Sequence, residues 1–273
     1  MRKRTAESQK APPEASIEND RQFVTALHRG LEILRAFRPT DRIGLGNSEL
    51  AERTRLPNST VSRLTFTLWK LGYITYDESS GRYSMSVPVL SLGYACLGGM
   101  HVLETARNYM QELADSCGDG VLVAVGGRDD MTMTYLACAR SVGLISLQLD
   151  VGSRVSLPRS AMGRAYIAGT SESERTEIQS RIKKREGADK SRTTLKSIDD
   201  AREQIAERGF YANIGGWHAN VNAVSVPYRS PDMNTPMMSF NLGGPSYNLT
   251  KKRLEEELGP KLVELVNRVG RTG

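Results

Sequence analysis

Cysteine is scarce in this 273-residue chain: Cys96, Cys117 and Cys138 are the whole complement. Three widely spaced thiols cannot pair completely, which excludes a disulfide framework and fits a reducing cytoplasm. Histidine is equally sparse, and His28, His101 and His218 stand far apart. Neither a metal-spaced Cys/His set nor a histidine-based catalytic pair is therefore expected, and no cofactor. A Gly-x-Ser-x-Gly elbow and a phosphate loop are also missing, so catalysis is not expected. Long apolar runs are lacking too. The longest, Val121–Val125, is far short of the roughly 20 residues of a membrane helix. Met1–Ala15 is polar, holds Pro12-Pro13 and has no apolar h-region, so neither a cleaved secretory signal nor a membrane partner is expected.

What is present is a mild basic excess, unevenly spread. The chain carries 37 Lys/Arg and 31 Asp/Glu, a net charge of +6. Residues 1–88 hold 14 basic and 10 acidic side chains, so two thirds of the excess lies in the first third. Arg53–Tyr76 contains Arg53, Arg55, Arg63 and Lys70 and no acid. Such a stripe suits either an anionic partner or a solvated helix face.

Residues 1–22 are polar and read as a disordered tail. Phe23, Leu27, Leu31 and Leu34 then recur at spacings of three and four, predicting a helix that ends before Pro39. A short helix follows at Glu49–Thr54, capped by Asn47 or Ser48. A third runs from the Leu56-Pro57-Asn58 connection to about Leu71, with Gly72 placed to stop it. Tyr73–Tyr76 and Arg82–Met85 are β-prone runs about a five-residue turn. Three helices and a hairpin within residues 23–87 are the layout of a winged helix-turn-helix. Pro88–Met100 reads as a linker helix. Residues 101–273 follow as an α+β domain. Its predicted strands are Val121–Val125, Met131–Ala139, Leu144–Leu149, Phe210–Ile214, Ala223–Tyr228 and Pro236–Leu242. Helices are expected through Leu103, Ala106, Met110 and Leu113 to about Ser116, and at Ala161–Ala168, Glu174–Lys184, Ile198–Arg208 and Lys251–Val269.

On the third helix, Val61, Leu64, Leu68 and Leu71 fall on one side, while Ser59, Ser62, Arg63, Phe66 and Lys70 fall on the other. Arginine can grip guanine O6 and N7, and small hydroxyls serve bases or phosphates. Asn58, Ser59, Thr60, Ser62 and Arg63 are thus the candidate readers of double-stranded operator DNA. Arg82 on the wing is a candidate phosphate or minor-groove contact. Helix capping alone also accounts for Asn58, Ser59 and Thr60.

Several ordered segments carry a resemblance. Ala26–Leu34, Ser48-Glu49-Leu50-Ala51, Leu56–Leu64 and Leu71-Gly72-Tyr73 resemble the DNA-reading domain of the IclR family of bacterial transcriptional regulators. Val151–Arg154, Ser160–Ala165, Asn222–Pro227 and Gly243-Gly244-Pro245 are similar to its effector domain. Phe66 departs, standing where the family has a small residue. The resemblance implies a GAF-like second domain that binds a small-molecule effector, an organic or aromatic acid. It also implies a homodimer or dimer of dimers with linker contacts at Pro88–Gly99. The implied pocket positions are Leu144, Leu147, Val155, Ala161, Met162, Gly163, Asn213, Ala223, Asn241 and Gly243. Ordinary core packing accounts equally for Leu144, Leu147, Val155 and Ala223. Ser160 can cap the Ala161 helix, leaving the amides of Ala161, Met162 and Gly163 to face a cavity, with those of Met162 and Gly163 meeting a carboxylate. The alternative reading is an enzyme acting on small acids with an accessory DNA-binding domain.

Overall fold

The computed structural model describes residues 20–143, 147–232 and 235–272. The chain divides between Cys96 and Leu97 into two compact units. Among the described residues no single helix is long and apolar enough to cross a membrane.

The first unit contains α1 (Thr25–Arg35), α2 (Asn47–Thr54), α3 (Asn58–Lys70), β1 (Ile74–Asp77) and β2 (Arg82–Met85), and it enters α4 (Val87–Gly98). Ile33, Leu45, Leu50 and Val61 form its core, edged by Leu56, Leu64 and Leu68. The two strands pair antiparallel from Ile74 opposite Met85 to Asp77 opposite Arg82. Leu45 and Tyr83 exchange backbone hydrogen bonds of 2.8 Å, tying the loop before α2 to the hairpin. Gly72 leaves α3 at φ +78°, a conformation that glycine adopts without a Cβ penalty. Leu71 is 64% exposed rather than core. Its place on the buried side is taken by Thr65, whose hydroxyl satisfies itself on the Val61 carbonyl at 2.9 Å. A hydroxyl can be buried there because the helix turn below supplies an acceptor.

The second unit is built on a six-stranded antiparallel sheet in the order β5-β4-β3-β8-β7-β6. Its strands are β3 (Leu122–Asp129), β4 (Thr132–Arg140), β5 (Arg154–Ser156), β6 (Tyr211–His218), β7 (Val221–Tyr228) and β8 (Met238–Pro245). The expected strand at Leu144–Leu149 is not formed at Leu147–Leu149, and residues 144–146 lie outside the described residues. The edge strand is Arg154–Ser156, which pairs with Thr132–Thr134. On one face α5 (Val102–Ser116) and the C-terminal helical segment pack through Leu103, Met110, Leu254, Leu258 and Leu262 against Val123, Val125 and Phe240. That segment comprises α8 (Lys251–Arg253), a π-helical turn at Leu254–Leu258 and α9 (Gly259–Thr272). On the other face α6 (Ala161–Gly169) and α7 (Glu172–Arg208) pack through Met162, Tyr166, Ile178 and Ile198 against Leu122, Ala124, Met133 and Tyr135. The two helices expected at Glu174–Lys184 and Ile198–Arg208 belong to α7, which breaks only at Gly187. Leu97 and Met100 pack on the core of this unit, so part of the linker belongs to it.

One irregularity decides which face β4 presents. Val125 opposes Ala137 but Gly126 opposes Tyr135, so Leu136 is an extra residue. Alternation along a strand sends residues i and i+2 to the same face, and a bulge resets it. Ala137 and Ala139 therefore lie in the core beneath α5, while Met133 and Tyr135 lie on the α6 side.

Candidate DNA-reading face and effector cleft

The outer side of α3 exposes Asn58, Ser59, Ser62 and Arg63, while Thr60 is half-buried. Asn47 Nδ2 donates to the carbonyl and Oδ1 of Asn58, each at 3.2 Å, so α2 fixes the start of α3. Two arginines are engaged within the fold. Arg53 donates to Asp41 at 2.6 and 2.9 Å and to the Ala36 carbonyl at 2.8 Å. The hydrogen bond from Arg53 holds the Asp41 carboxyl below the usual range. Arg82, the candidate wing contact, donates to Glu49 Oε2 at 2.6 Å and to the Gly44 carbonyl at 3.2 Å. Asp41 lies outside the acid-free window that contains Arg53, which is why that window looked more basic than the folded surface is. Lys70 lies over the Trp69 ring at 4.1 Å and the Phe66 ring at 5.4 Å. Arg63 and Arg55 remain exposed on this element and its preceding turn.

In the second unit a narrow cleft, open at its mouth, lies between α6 and the sheet. It brings together Leu147, Val155, Ala161, Met162, Asn213, Ala223, Asn241 and Gly243 from the expected set. It also holds Tyr135, Ser160, Trp217 and Val221, which the sequence reading missed. Leu144 lies outside the described residues. Gly163 does not line it. A Cβ there would collide with the backbone of Leu157, so this glycine serves close packing.

The wall is made by pairing. Ala223 sits opposite Asn213 on one side and Gly243 on the other, and Asn241 sits between Ala124 and Ser225. Small residues at 223 and 243 leave the room. A Cβ at Gly243 would stand 3.3 Å from Nδ2 of Asn241. Asn213 is spent on the fold: Nδ2 donates to the Arg159 carbonyl at 2.9 Å and Oδ1 accepts from the Gly216 amide at 3.1 Å. Asn241 is half spent. Its Oδ1 accepts the Ser225 hydroxyl at 3.0 Å, and among the described residues Nδ2 has no acceptor. The Tyr135 hydroxyl likewise has no described partner, and burial, with Cys138 nearby, pushes its pKa up, so it stays a donor.

Ser160 caps α6. Its hydroxyl donates to the Ser156 carbonyl at 2.7 Å and accepts the Gly163 amide at 3.0 Å. The Gly163 amide is thereby taken, contrary to expectation. The amides left over at this helix end are those of Ala161 and Met162, which carry no acceptor among the described residues. Trp217, 37% exposed, stands at the mouth with its indole ring. The cleft thus offers donors in an apolar setting, a combination that recognises an anionic or acceptor-rich small molecule. Among the described residues no group of three or more His, Cys, Asp or Glu side chains could hold a metal.

A helix-turn-helix unit joined to a small-molecule-binding α+β unit is the construction of a ligand-responsive transcriptional regulator. Residues 26–78 match the IclR helix-turn-helix domain, and residues 94–271 match the bacterial transcriptional regulator IclR C-terminal domain. The chain belongs to the IclR family. It is similar to the HTH-type transcriptional regulator TsaQ1/TsaQ2 of Comamonas testosteroni, 30% identical over 93% of this chain and 90% of that protein. It resembles the crystal structure of an IclR family transcriptional regulator from Brucella abortus, 40% identical, with a TM-score of 0.85, covering 93% of this chain and 94% of that one. An IclR homolog from Microbacterium hydrocarbonoxydans, complexed with 4-hydroxybenzoate, shares the fold at 17% identity. Its TM-score is 0.65, over 90% of this chain and 96% of that one.

Proposed function

We propose that the chain binds operator DNA through α3, with Asn58, Ser59, Thr60, Ser62 and Arg63 as its readers, and adjusts that binding on taking up a small aromatic carboxylate. The observation that carries the reading is the cleft: an apolar site, open at its mouth, in which the Tyr135 hydroxyl, Nδ2 of Asn241 and two helix amides have no protein acceptor among the described residues. Donors that the fold leaves free along a cleft are available to the acceptors of a ligand. Apolar walls and the Trp217 ring fit a flat ring, and the donors fit a carboxylate and a ring hydroxyl. The 4-hydroxybenzoate complex of the Microbacterium homolog supports this class.

Arg82 is proposed to hold the wing in place and to leave direct readout to α3. The working form is a homodimer or dimer of dimers, supported by the exposed Leu27 and Leu31 on α1 and Leu90 and Tyr94 on α4. A regulator of transcription works beside the chromosome, hence in the cytoplasm. The ligand alters DNA affinity only by binding one arrangement of the subunits better than another.

The test selects a duplex from random-sequence DNA with the full-length protein, then titrates it by fluorescence anisotropy with and without 4-hydroxybenzoate. Selection of a defined sequence whose affinity shifts with the acid is expected. Conversion of the acid to a product in proportion to protein would favour the enzyme instead.

A further inference from the structure

Two arginines are buried among the described residues, Arg164 and Arg175. Arg175 has a carboxylate partner in Glu172, and the less buried Arg128, Arg181 and Arg208 have theirs in Glu174, Asp130 and Glu255. Arg164, 8% exposed, has none among the described residues. Its Nε donates to the Pro158 carbonyl at 3.0 Å and Nη1 to the Tyr211 hydroxyl at 2.7 Å. Both acceptors are neutral. A buried cation that is hydrogen-bonded but not charge-compensated is a standing cost to the fold.

The place of this charge gives it a use. Arg164 lies one turn into α6, the helix whose first residues line the effector cleft. Arg164 and the cleft residue Asn213 are pinned to consecutive carbonyls, those of Pro158 and Arg159. A Cβ at Gly216 would collide with Oδ1 of Asn213 and stand 3.5 Å from Nη1 of Arg164, so the guanidinium lies directly behind the cleft wall. Low-dielectric surroundings let its field reach into the cleft, in the same sense as the positive end of α6.

We propose that Arg164 is the counter-charge of the effector site. It selects a carboxylate over a neutral molecule of the same shape, acting through the wall without touching the ligand, and so determines specificity. This rests on the proposed function of the cleft. An Asp or Glu in the wall would cancel the charge in the empty protein; among the described residues none lines the cleft, which leaves the compensation to the ligand.

The experiment is calorimetry on the full chain with 4-hydroxybenzoate and its neutral isostere 4-hydroxybenzamide, using wild type, Arg164→Gln and Arg164→Lys. Glutamine retains donors without the charge, and lysine retains the charge. Wild type is expected to favour the carboxylate by at least about tenfold. Arg164→Gln should remove that preference by weakening the acid alone, and Arg164→Lys should keep it. Retained preference in Arg164→Gln, or equal weakening of both probes in both variants, would overturn the proposal and leave Arg164 a structural residue. If wild type binds neither probe, the aromatic-acid reading fails, and thermal melting decides the charge. Arg164→Lys, which keeps the cation, melting no higher than Arg164→Gln, which loses it, supports an uncompensated charge, whereas Arg164→Lys melting clearly higher refutes it.

Discussion

Single side chains on α3 and in the cleft divide into those the fold has used and those it has left free. Arg63 is exposed on the outer face of α3, whereas Arg53 is bound to Asp41. Arg63→Ala is therefore expected to cost about 1–3 kcal/mol of specific binding if it reads a base. Anisotropy on the selected duplex and on random DNA at fixed salt checks this. Equal losses on both would make Arg63 a phosphate contact. In the cleft, Asn241→Leu removes the free Nδ2 donor and also strands the Ser225 hydroxyl that Oδ1 accepts. Loss of one buried partner typically costs about 1–3 kcal/mol, so 4-hydroxybenzoate should bind roughly ten- to a hundredfold more weakly. Ser225→Ala, which leaves Nδ2 in place, should weaken it far less. Unchanged affinity in Asn241→Leu would mean that the acid binds elsewhere.

Between elements, the Asp41–Arg53 pair joins the loop after α1 to α2, and Arg53 also reaches the Ala36 carbonyl just past the end of α1. The Asp41 carboxyl is depressed by the hydrogen bond from Arg53. A carboxyl with a lowered folded pKa stabilises above its unfolded value, and loses that contribution as pH falls through the folded value. Asp41→Asn should accordingly lower the melting temperature of the first unit at neutral pH, and the gap should close below about pH 4. Trp69 fluorescence in a Trp217→Phe background reads this unit alone. A gap that stays constant with pH would show that the charge of Asp41 contributes nothing. The bulge at Leu136 works at the same scale: one extra residue turns Tyr135 from the α5 side of the sheet to the cleft.

At the scale of the whole molecule, division between Cys96 and Leu97 leaves Leu97 and Met100 with the core they pack on. Residues 97–273 expressed alone should fold cooperatively and bind 4-hydroxybenzoate as the full chain does, without affinity for the selected duplex. A fragment beginning at residue 101 exposes apolar surface that those two side chains cover, and should melt lower. Calorimetry and thermal melting of both fragments check this. Comparable melting temperatures would show that the linker helix adds nothing to the second unit.

Much of the architecture is local and could be read along the chain. The order of helices and hairpin, the Gly72 stop, the Ser160 cap and the buried face of Lys251–Val269 follow from periodicity and capping, which act over a few residues. Eight cleft residues were legible through their resemblance to known family positions. Only the tertiary structure decided the rest. Asp41 neutralises Arg53 from twelve residues away, and Glu49 holds Arg82 from thirty-three. Tyr135 reaches the cleft because a bulge breaks the alternation on which any strand reading depends. Gly163 serves the Leu157 backbone and not a ligand. That Arg164 has no carboxylate partner among the described residues is visible only in the folded chain. Each of these depends on groups far apart in sequence, whose approach is set by the packing of α6 on the sheet and of the wing on α2.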